Sequence, residues 1–135
     1  MMKEVSIFWF RRDLRLDDNA GLWKALKNGH PVVPIFIFDA NILNQLEDKQ
    51  DARVTFLHQR IEVLNRKLNA YNSCLKVFYG TPLDTFSALI NEYSVQSVFY
   101  NRDYEPYAIK RDKAVYELLS KNSIAVVGSK DHVIF

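Results

Sequence analysis

Five short apolar runs alternate with helical patterns along this chain, and this alternation constrains the fold more than any other feature. The runs cover residues 5–10, 32–38, 75–79, 97–100 and 124–127. Near-continuous apolar runs of this length are typical of parallel strands that are buried on both faces. We therefore predict an α/β domain built on a five-stranded parallel sheet.

Helical signals fill the gaps between these runs. Asn19 can cap a first helix that ends near Gly29, residues 52–71 carry a regular apolar stripe, and Thr81 and Pro106 mark two more helix starts. Periodicity assigns a set of side chains to the buried faces of the last three helices: Leu57, Ile61, Leu64, Leu68, Tyr71, Leu83, Phe86, Ile90, Tyr93, Ile109, Val115, Tyr116 and Leu119. About four helices that alternate with five strands predict a three-layer, doubly wound, Rossmann-like domain.

Composition narrows the class of protein. The net charge of +2, from 18 basic and 16 acidic residues, is too small to argue for nucleic-acid binding by charge alone. One cysteine excludes a disulfide framework and fits a reducing compartment. No apolar run has transmembrane length, and the first residues do not resemble a signal peptide. We expect a cytoplasmic protein with no membrane partner.

Several common catalytic motifs are missing from the sequence. No G-x-G-x-x-G follows the first apolar run, and there is neither a phosphate-binding P-loop nor a G-x-S-x-G nucleophile motif. The three histidines stand at no metal-ligand spacing. We therefore predict no catalytic residue and no metal site in this chain.

Charged residues follow three of the predicted strands where those strands end. Arg11 and Arg12 follow the first strand, Asp39 ends the second, and residues 101–105 follow the fourth. Arg53 opens the long helix on its apolar side. Because ligands of doubly wound sheets bind at the carboxyl ends of the strands, we expect these side chains to meet at one edge.

Residues 11–19 hold three arginines and three aspartates. The arginines can pair with these acids and with strand-end carbonyls in a purely structural role, or they can face a ligand; the sequence leaves both interpretations open. Asp112 falls between Ile109 and Tyr116 on the predicted inward face of the last helix. A carboxylate at such a position needs a cation, so we predict an ion pair with an arginine of the 11–15 segment.

Four segments together carry a family resemblance. They are FWFRRDLRLDDN at 8–19, GTP at 80–82, NRDYEPY at 101–107 followed by Arg111 and Asp112, and DHVIF at 131–135. In these segments the chain resembles the N-terminal domain of the DNA photolyase/cryptochrome family, and the likeness covers essentially its whole length.

The resemblance implies a division of labour between two domains. In that family the N-terminal α/β domain carries a light-harvesting antenna chromophore. A C-terminal helical domain binds FAD, docks damaged DNA and repairs pyrimidine dimers. Residues 1–135 resemble the first domain only, with the FAD-binding helical domain absent. We therefore expect an excised part of a photolyase or cryptochrome, with a free-standing antenna-like domain as the alternative. The chain is expected to be inactive alone, and its expected partners are its own FAD domain and, through it, damaged DNA.

The antenna of this family is a deazaflavin, a folate or a flavin, and the resemblance favours a deazaflavin. The folate type uses an Asn-Glu pair where this chain has Tyr107 and Ala108. By the same resemblance, the cofactor-binding residues are Arg12, Phe36, Phe38, Asp39, Arg53, Asp103 and Glu105.

Two other α/β modules remain as alternatives. A receiver-like domain needs an aspartate at the end of the third strand, where this chain has Tyr79 and Gly80. A universal-stress-like nucleotide-binding module needs a glycine-rich phosphate loop, and Gly128-Ser129 is a weak match.

Overall fold

The structure is a computed structural model that describes residues 2–11, 13–39 and 52–130, the last range with side chains from residue 55 onwards. Its strands are β1 (Glu4–Phe10), β2 (Val32–Asp39), β3 (Lys76–Gly80), β4 (Ser94–Asn101) and β5 (Ala125–Ser129). Its described helices are α1 (Ala20–Leu26), α2 (Ala52–Asn69), α3 (Pro82–Glu92) and α4 (Pro106–Lys121). Each predicted strand and helix is therefore present, with small shifts at the ends.

The five strands form one parallel sheet in the order β3-β2-β1-β4-β5. The chain adds β2 and β3 on one side of β1 and then returns to add β4 and β5 on the other. The strand order thus reverses between β1 and β4, which makes this point the topological switch of the sheet. The predicted doubly wound α/β fold is confirmed.

Two apolar cores, one on each face of the sheet, give the three layers. Phe8, Phe10, Phe36 and Phe38 point to the face covered by α1 and α2. The residues that alternate with them along β1 and β2 point to the face covered by α3 and α4, and they are Ile7, Trp9, Ile35 and Ile37. This alternation buries both sides of the two central strands, as their continuous apolar sequence predicts.

Two helices begin at the capping residues that the sequence predicts. The side chain of Asn19 accepts a hydrogen bond from the Leu22 N–H at 3.0 Å. The Thr81 hydroxyl accepts one from the Asp84 N–H at 3.2 Å, and Pro82 is the first residue of α3. These caps satisfy amide groups that the helices leave unpaired at their first turns.

Four of the predicted inward-facing side chains are instead exposed. The exposed fractions are 42% for Leu83, 54% for Ile109, 53% for Tyr116 and 76% for Tyr71. Tyr71 lies beyond the end of α2 at Asn69. Leu83, Ile109 and Tyr116 lie beside the buried stripes of their helices, which are formed by Pro82, Thr85, Phe86 and Leu89 in α3 and by Ala108, Val115 and Leu119 in α4.

The third strand also differs from the prediction of burial on both faces. β3 is an edge strand, so only one side of it pairs, with β2. Val77 is 37% exposed and Tyr79 is 66% exposed. Only part of the apolar surface of β3 is therefore buried.

Candidate functional site at the carboxyl edge of the sheet

A cavity of about 240 Å³ lies where β1 and β2 end and α4 begins; we call it the edge cavity. Apolar side chains form most of its wall, and acidic and basic groups complete it. The apolar and aromatic lining residues include Trp9, Phe10, Phe36, Ile37, Phe38, Leu57, Pro82 and Tyr107. The ionisable lining residues are Arg11, Asp39, Asp103, Glu105 and Arg111.

Five of the seven residues predicted to bind a cofactor line this one cavity: Phe36, Phe38, Asp39, Asp103 and Glu105. Arg12 and the side chain of Arg53 lie outside the described residues. Phe36 and Phe38 are only 6% and 2% exposed, so their rings belong to the core as well as to the cavity wall. The convergence follows from the sheet topology; a binding role for these residues stays a prediction.

Aromatic stacking positions the rings of this wall. The Phe36 and Phe38 rings meet edge to face with centroids 5.0 Å apart. Tyr79 stacks almost parallel to Phe38 at 4.7 Å, and His58 of α2 stacks on Phe38 at 4.8 Å. Phe38 is thus held by three aromatic neighbours, which leaves it little rotational freedom.

The acidic residues of the cavity are positioned by short-range hydrogen bonds. The Tyr107 hydroxyl, in the first turn of α4, donates to Asp39 Oδ2 at 2.5 Å and so connects α4 to the end of β2. Asp103 Oδ1 accepts the backbone N–H of Glu105 at 3.1 Å. This Asx-type turn reverses the chain between β4 and α4 and places both acids beside the cavity.

Arg11 connects the end of β1 to the end of β4 and to α4. Its Nη1 donates to the Asp112 carboxylate and its Nη2 to the Asn101 backbone carbonyl. Its guanidinium also lies over the ring of Tyr100, 4.6 Å from the centroid. The predicted ion pair between Asp112 and the 11–15 segment is confirmed, and the Asp112 side chain is 13% exposed.

A buried amide network lies beside this ion pair. Asn101 Nδ2 donates to Asp13 Oδ2 at 2.5 Å and to Asn19 Oδ1 at 2.6 Å, while Asn101 Oδ1 accepts the Gly21 N–H at 2.9 Å. A Cβ on Gly21 would lie 2.7 Å from Asn101 Oδ1, so the close approach of α1 to the end of β4 requires glycine. Asp13 and Asn19 of the 11–19 segment therefore have a structural role next to the cavity.

Among the polar residues that line the cavity, Tyr107 and Arg111 were missed as site candidates by sequence reasoning. They are four residues apart, so they lie on one face of α4. The signal that could have found them is this spacing after Asp103 and Glu105, which brings the start of the helix to the same edge. Arg111 Nε donates to Asp112 Oδ1 at 3.2 Å, and its guanidinium lies 5.0 Å from the centroid of the Trp9 ring.

Burial of Tyr100 raises the pKa of its phenol above the ordinary value of 10.0, and the Asp112 carboxylate raises it further, against the opposing effect of Arg11, Arg102 and Arg111. The folded protein therefore favours the neutral, protonated form of the Tyr100 phenol. Ionisation would place a second negative charge near Asp112 in a partly desolvated position.

We expect the free energy of unfolding to fall as the pH rises through about 10, the ordinary tyrosine pKa, because the unfolded chain releases the Tyr100 proton more readily than the folded one. Tyr100→Phe should remove that part of the alkaline loss. Urea unfolding of both proteins between neutral and alkaline pH measures the difference. Parallel curves for the two proteins would contradict this role of Tyr100.

Within the described ranges, no helix is long and apolar enough to cross a membrane. The same part of the chain contains no group of three or more His, Cys, Asp or Glu side chains arranged to hold a metal ion.

The sequence model of one family, described as DNA photolyase, matches residues 6–135. A deoxyribodipyrimidine photo-lyase from a Synechococcus species is 33% identical over 133 residues, which is 98% of this chain and 27% of the relative. The chain spans less than half the length of the curated relatives it matches.

Solved structures agree with the sequence match. An archaeal photolyase from Sulfolobus tokodaii superposes with a TM-score of 0.84 at 32% identity, over 96% of this chain and 30% of that one. A cryptochrome from a Synechocystis species gives a TM-score of 0.88 at 23% identity, over 96% of this chain and 28% of that one, which shows the shared fold.

Proposed function

The chain belongs to the DNA photolyase family as a photolyase/cryptochrome N-terminal domain, and on that premise we propose that it binds a light-harvesting antenna chromophore in the edge cavity. The observation that carries the proposal is the meeting of Phe36, Phe38, Asp39, Asp103 and Glu105 around this one cavity. Both the family resemblance and the topology of the sheet select these positions, on independent grounds.

The chemistry of the cavity supports a planar, polar heterocycle as the ligand. Rigid aromatic and aliphatic side chains would pack against the faces of such a ring, and carboxylates would accept hydrogen bonds from its N–H or O–H groups. The volume of about 240 Å³ is below the roughly 300–1,000 Å³ of typical ligand pockets. We therefore place only the ring system in the cavity and the ligand's side chain outside it.

An antenna role needs no catalytic residue in this chain. A bound antenna chromophore absorbs light and passes its excitation energy to a second chromophore. The residues of the domain then have only to hold the ring, fix its orientation and exclude water. The hydrogen-bonded Asp39–Tyr107 pair and the stacked Phe38 ring suit that task because their positions are fixed by neighbours.

A deazaflavin is the chromophore we favour, and a flavin is the second candidate. The Sulfolobus tokodaii photolyase, at 32% identity, is described as having two FAD molecules, with the implication of a novel light-harvesting cofactor. We propose that this domain works with an FAD-binding helical domain, and with damaged DNA through that domain. The partial coverage of the photolyase relatives supports such a partner.

Dye titration of the full-length protein tests the proposal. Deazariboflavin, FMN and a reduced folate are added separately and binding is followed by fluorescence, with deazariboflavin expected to bind most tightly. Asp103→Asn keeps an acceptor for the Glu105 N–H but removes the charge, so we expect roughly tenfold weaker binding. Asp103→Ala should weaken binding further because the turn also loses its hydrogen bond, and Arg53→Ala should weaken it too.

The matched control is Asp84→Asn, which removes an exposed acid in the first turn of α3 and should leave dye binding unchanged. Failure of all three dyes to bind the unmodified protein would refute the antenna role. Tight binding that neither Asp103 variant nor Arg53→Ala weakens would mean that the dye occupies another site.

A further inference from the structure

Arg111 differs from the other buried arginine of the site in how its guanidinium is used. Both terminal nitrogens of Arg11 have acceptors, namely Asp112 and the Asn101 carbonyl. Arg111 is nearly as buried, with 12% of its side chain exposed, and its Nε is occupied by Asp112. The terminal nitrogen Nη2 of Arg111 is buried and has no hydrogen-bond acceptor among the described residues.

A buried guanidinium N–H without an acceptor is unusual in a folded protein. Most buried donors are paired, since the lost hydrogen bond to water must be replaced. Arg111 is also held in place, because Asp112 binds its Nε and its guanidinium lies over the Trp9 ring at 5.0 Å and near the Tyr107 ring at 5.9 Å. The unpaired N–H therefore belongs to a side chain with a fixed position rather than to a mobile one.

The location of Arg111 suggests which group completes its hydrogen bonding. Arg111 lines the edge cavity together with Asp39, Asp103, Glu105 and Tyr107. Three of these four neighbours are carboxylates, which suit the N–H and O–H groups of a ligand. The flavin and deazaflavin candidates also carry carbonyl oxygens on their rings, and these need a donor that ionised carboxylates cannot supply.

We propose that Arg111 is a ligand-binding residue of the edge cavity and that its Nη2 donates a hydrogen bond to a carbonyl or ionised hydroxyl oxygen on the ring of the bound chromophore. This inference rests on the proposed function and adds to it the donor that orients the ring. A charge-assisted bond of this kind favours a chromophore with a ring oxygen on the side of α4 and disfavours a hydrocarbon ring of the same size.

The test compares dye affinity with stability in variants of the full-length protein. Arg111→Met keeps an unbranched apolar stem over the Trp9 ring, and Asp112 keeps its partner Arg11. We expect deazariboflavin to bind about 10- to 100-fold more weakly to this variant. Without dye, the melting temperature should fall by only a few degrees, because the substitution also removes an unsatisfied donor.

Arg111→Lys is the second variant and serves if Arg111→Met does not fold. It keeps the positive charge but cannot offer the planar pair of donors that reaches Asp112 and the ligand together. It should therefore bind deazariboflavin at least tenfold more weakly. The absorption maximum of the bound dye should move towards that of free dye in both variants, since the ring oxygen is no longer polarised. A purely structural role would not shift this spectrum.

Arg66→Gln is the matched control, because Arg66 is an exposed arginine near the end of α2 and lies outside the cavity lining. Unchanged affinity and spectrum in both Arg111 variants, with the unmodified protein binding the dye, would overturn this inference alone and would mean that water satisfies Nη2. If the unmodified protein binds none of the dyes, the antenna role fails and this inference fails with it.

Discussion

Asp112→Ala is expected to lower the free energy of unfolding by about 3 to 5 kcal/mol, because it leaves two buried guanidinium groups without their shared carboxylate. Asp112 Oδ1 accepts hydrogen bonds from both Arg11 and Arg111, whose side chains are 7% and 12% exposed. Removing one partner of a buried ion pair strongly destabilises a protein, because the remaining charge stays desolvated and unpaired. Replacing both partners by apolar residues costs far less. Urea unfolding followed by circular dichroism measures the change.

The control for this prediction is Glu117→Ala, five residues further along α4 on its exposed surface. It should change the stability by no more than about 0.5 kcal/mol. A similarly small effect of Asp112→Ala would contradict the role assigned to the ion pair. Arg11→Met combined with Asp112→Leu should cost less than the two single changes added together, because no buried charge of this pair then lacks its partner.

The sheet and its functional edge could be predicted from the sequence because strands leave a simple signal. Apolar runs such as 5–10 and 32–38 are too short for most helices and too apolar for loops. Once a parallel, doubly wound sheet is inferred, the carboxyl ends of its strands must share an edge. That rule alone brings Asp39 and Asp103 together, although 64 positions separate them in the chain.

The helix faces were predicted less well because periodicity defines a stripe but not its edges. Residues adjacent in sequence lie about 100° apart around a helix. In α4 the true buried stripe contains Ala108 and Val115, and the predicted Ile109 and Tyr116 are each one position further around. Small or charged residues such as Ala108 and Asp112 add little to an apolar pattern. The prediction therefore followed the large apolar side chains, and Ile109 and Tyr116 were included in the buried face.

Two donors of the candidate site, Tyr107 and Arg111, were missed for a related reason. The acids lie at or just after the ends of strands, where a charged residue is an obvious candidate for a binding residue. Arg111 and Tyr107 stand inside a helical pattern, where their types are ordinary. The Tyr107–Asp39 hydrogen bond, which joins α4 to the end of β2, reveals that this face of α4 reaches the cavity.

The amide network at the end of β4 links the stability of the fold to the geometry of the cavity. Asn101 is the last residue of β4, and the turn that presents Asp103 and Glu105 begins at the next residue. Asn101 binds three groups outside β4 at once: the side chains of Asp13 and Asn19 in the 11–19 segment and the backbone N–H of Gly21 in α1. A carboxamide can do this because its nitrogen carries two donors and its oxygen accepts.

Asn101→Asp is therefore expected to destabilise the domain by several kcal/mol at neutral pH, although the two side chains have nearly the same shape. The substitution replaces a donor that lies 2.5 Å from Asp13 Oδ2 and 2.6 Å from Asn19 Oδ1 with an acceptor oxygen. It also places a second carboxylate beside that of Asp13, and these two residues are only 5% and 8% exposed. Two buried carboxylates in contact cannot both stay ionised at low cost.

The pH dependence of this variant gives the most specific test of the network. Repulsion between the two carboxylates raises their pKa values in the folded protein above those in the unfolded chain, so the folded variant holds an extra proton. Its stability deficit should therefore shrink as the pH falls from about 7 to about 4, because a shared proton restores one donor between Asp13 and position 101. Asn72→Asp, at an exposed turn after α2, is the matched control and should show no comparable recovery. A variant as stable as the unmodified protein at neutral pH, or a deficit that stays constant on acidification, would show that the end of β4 is held by other contacts.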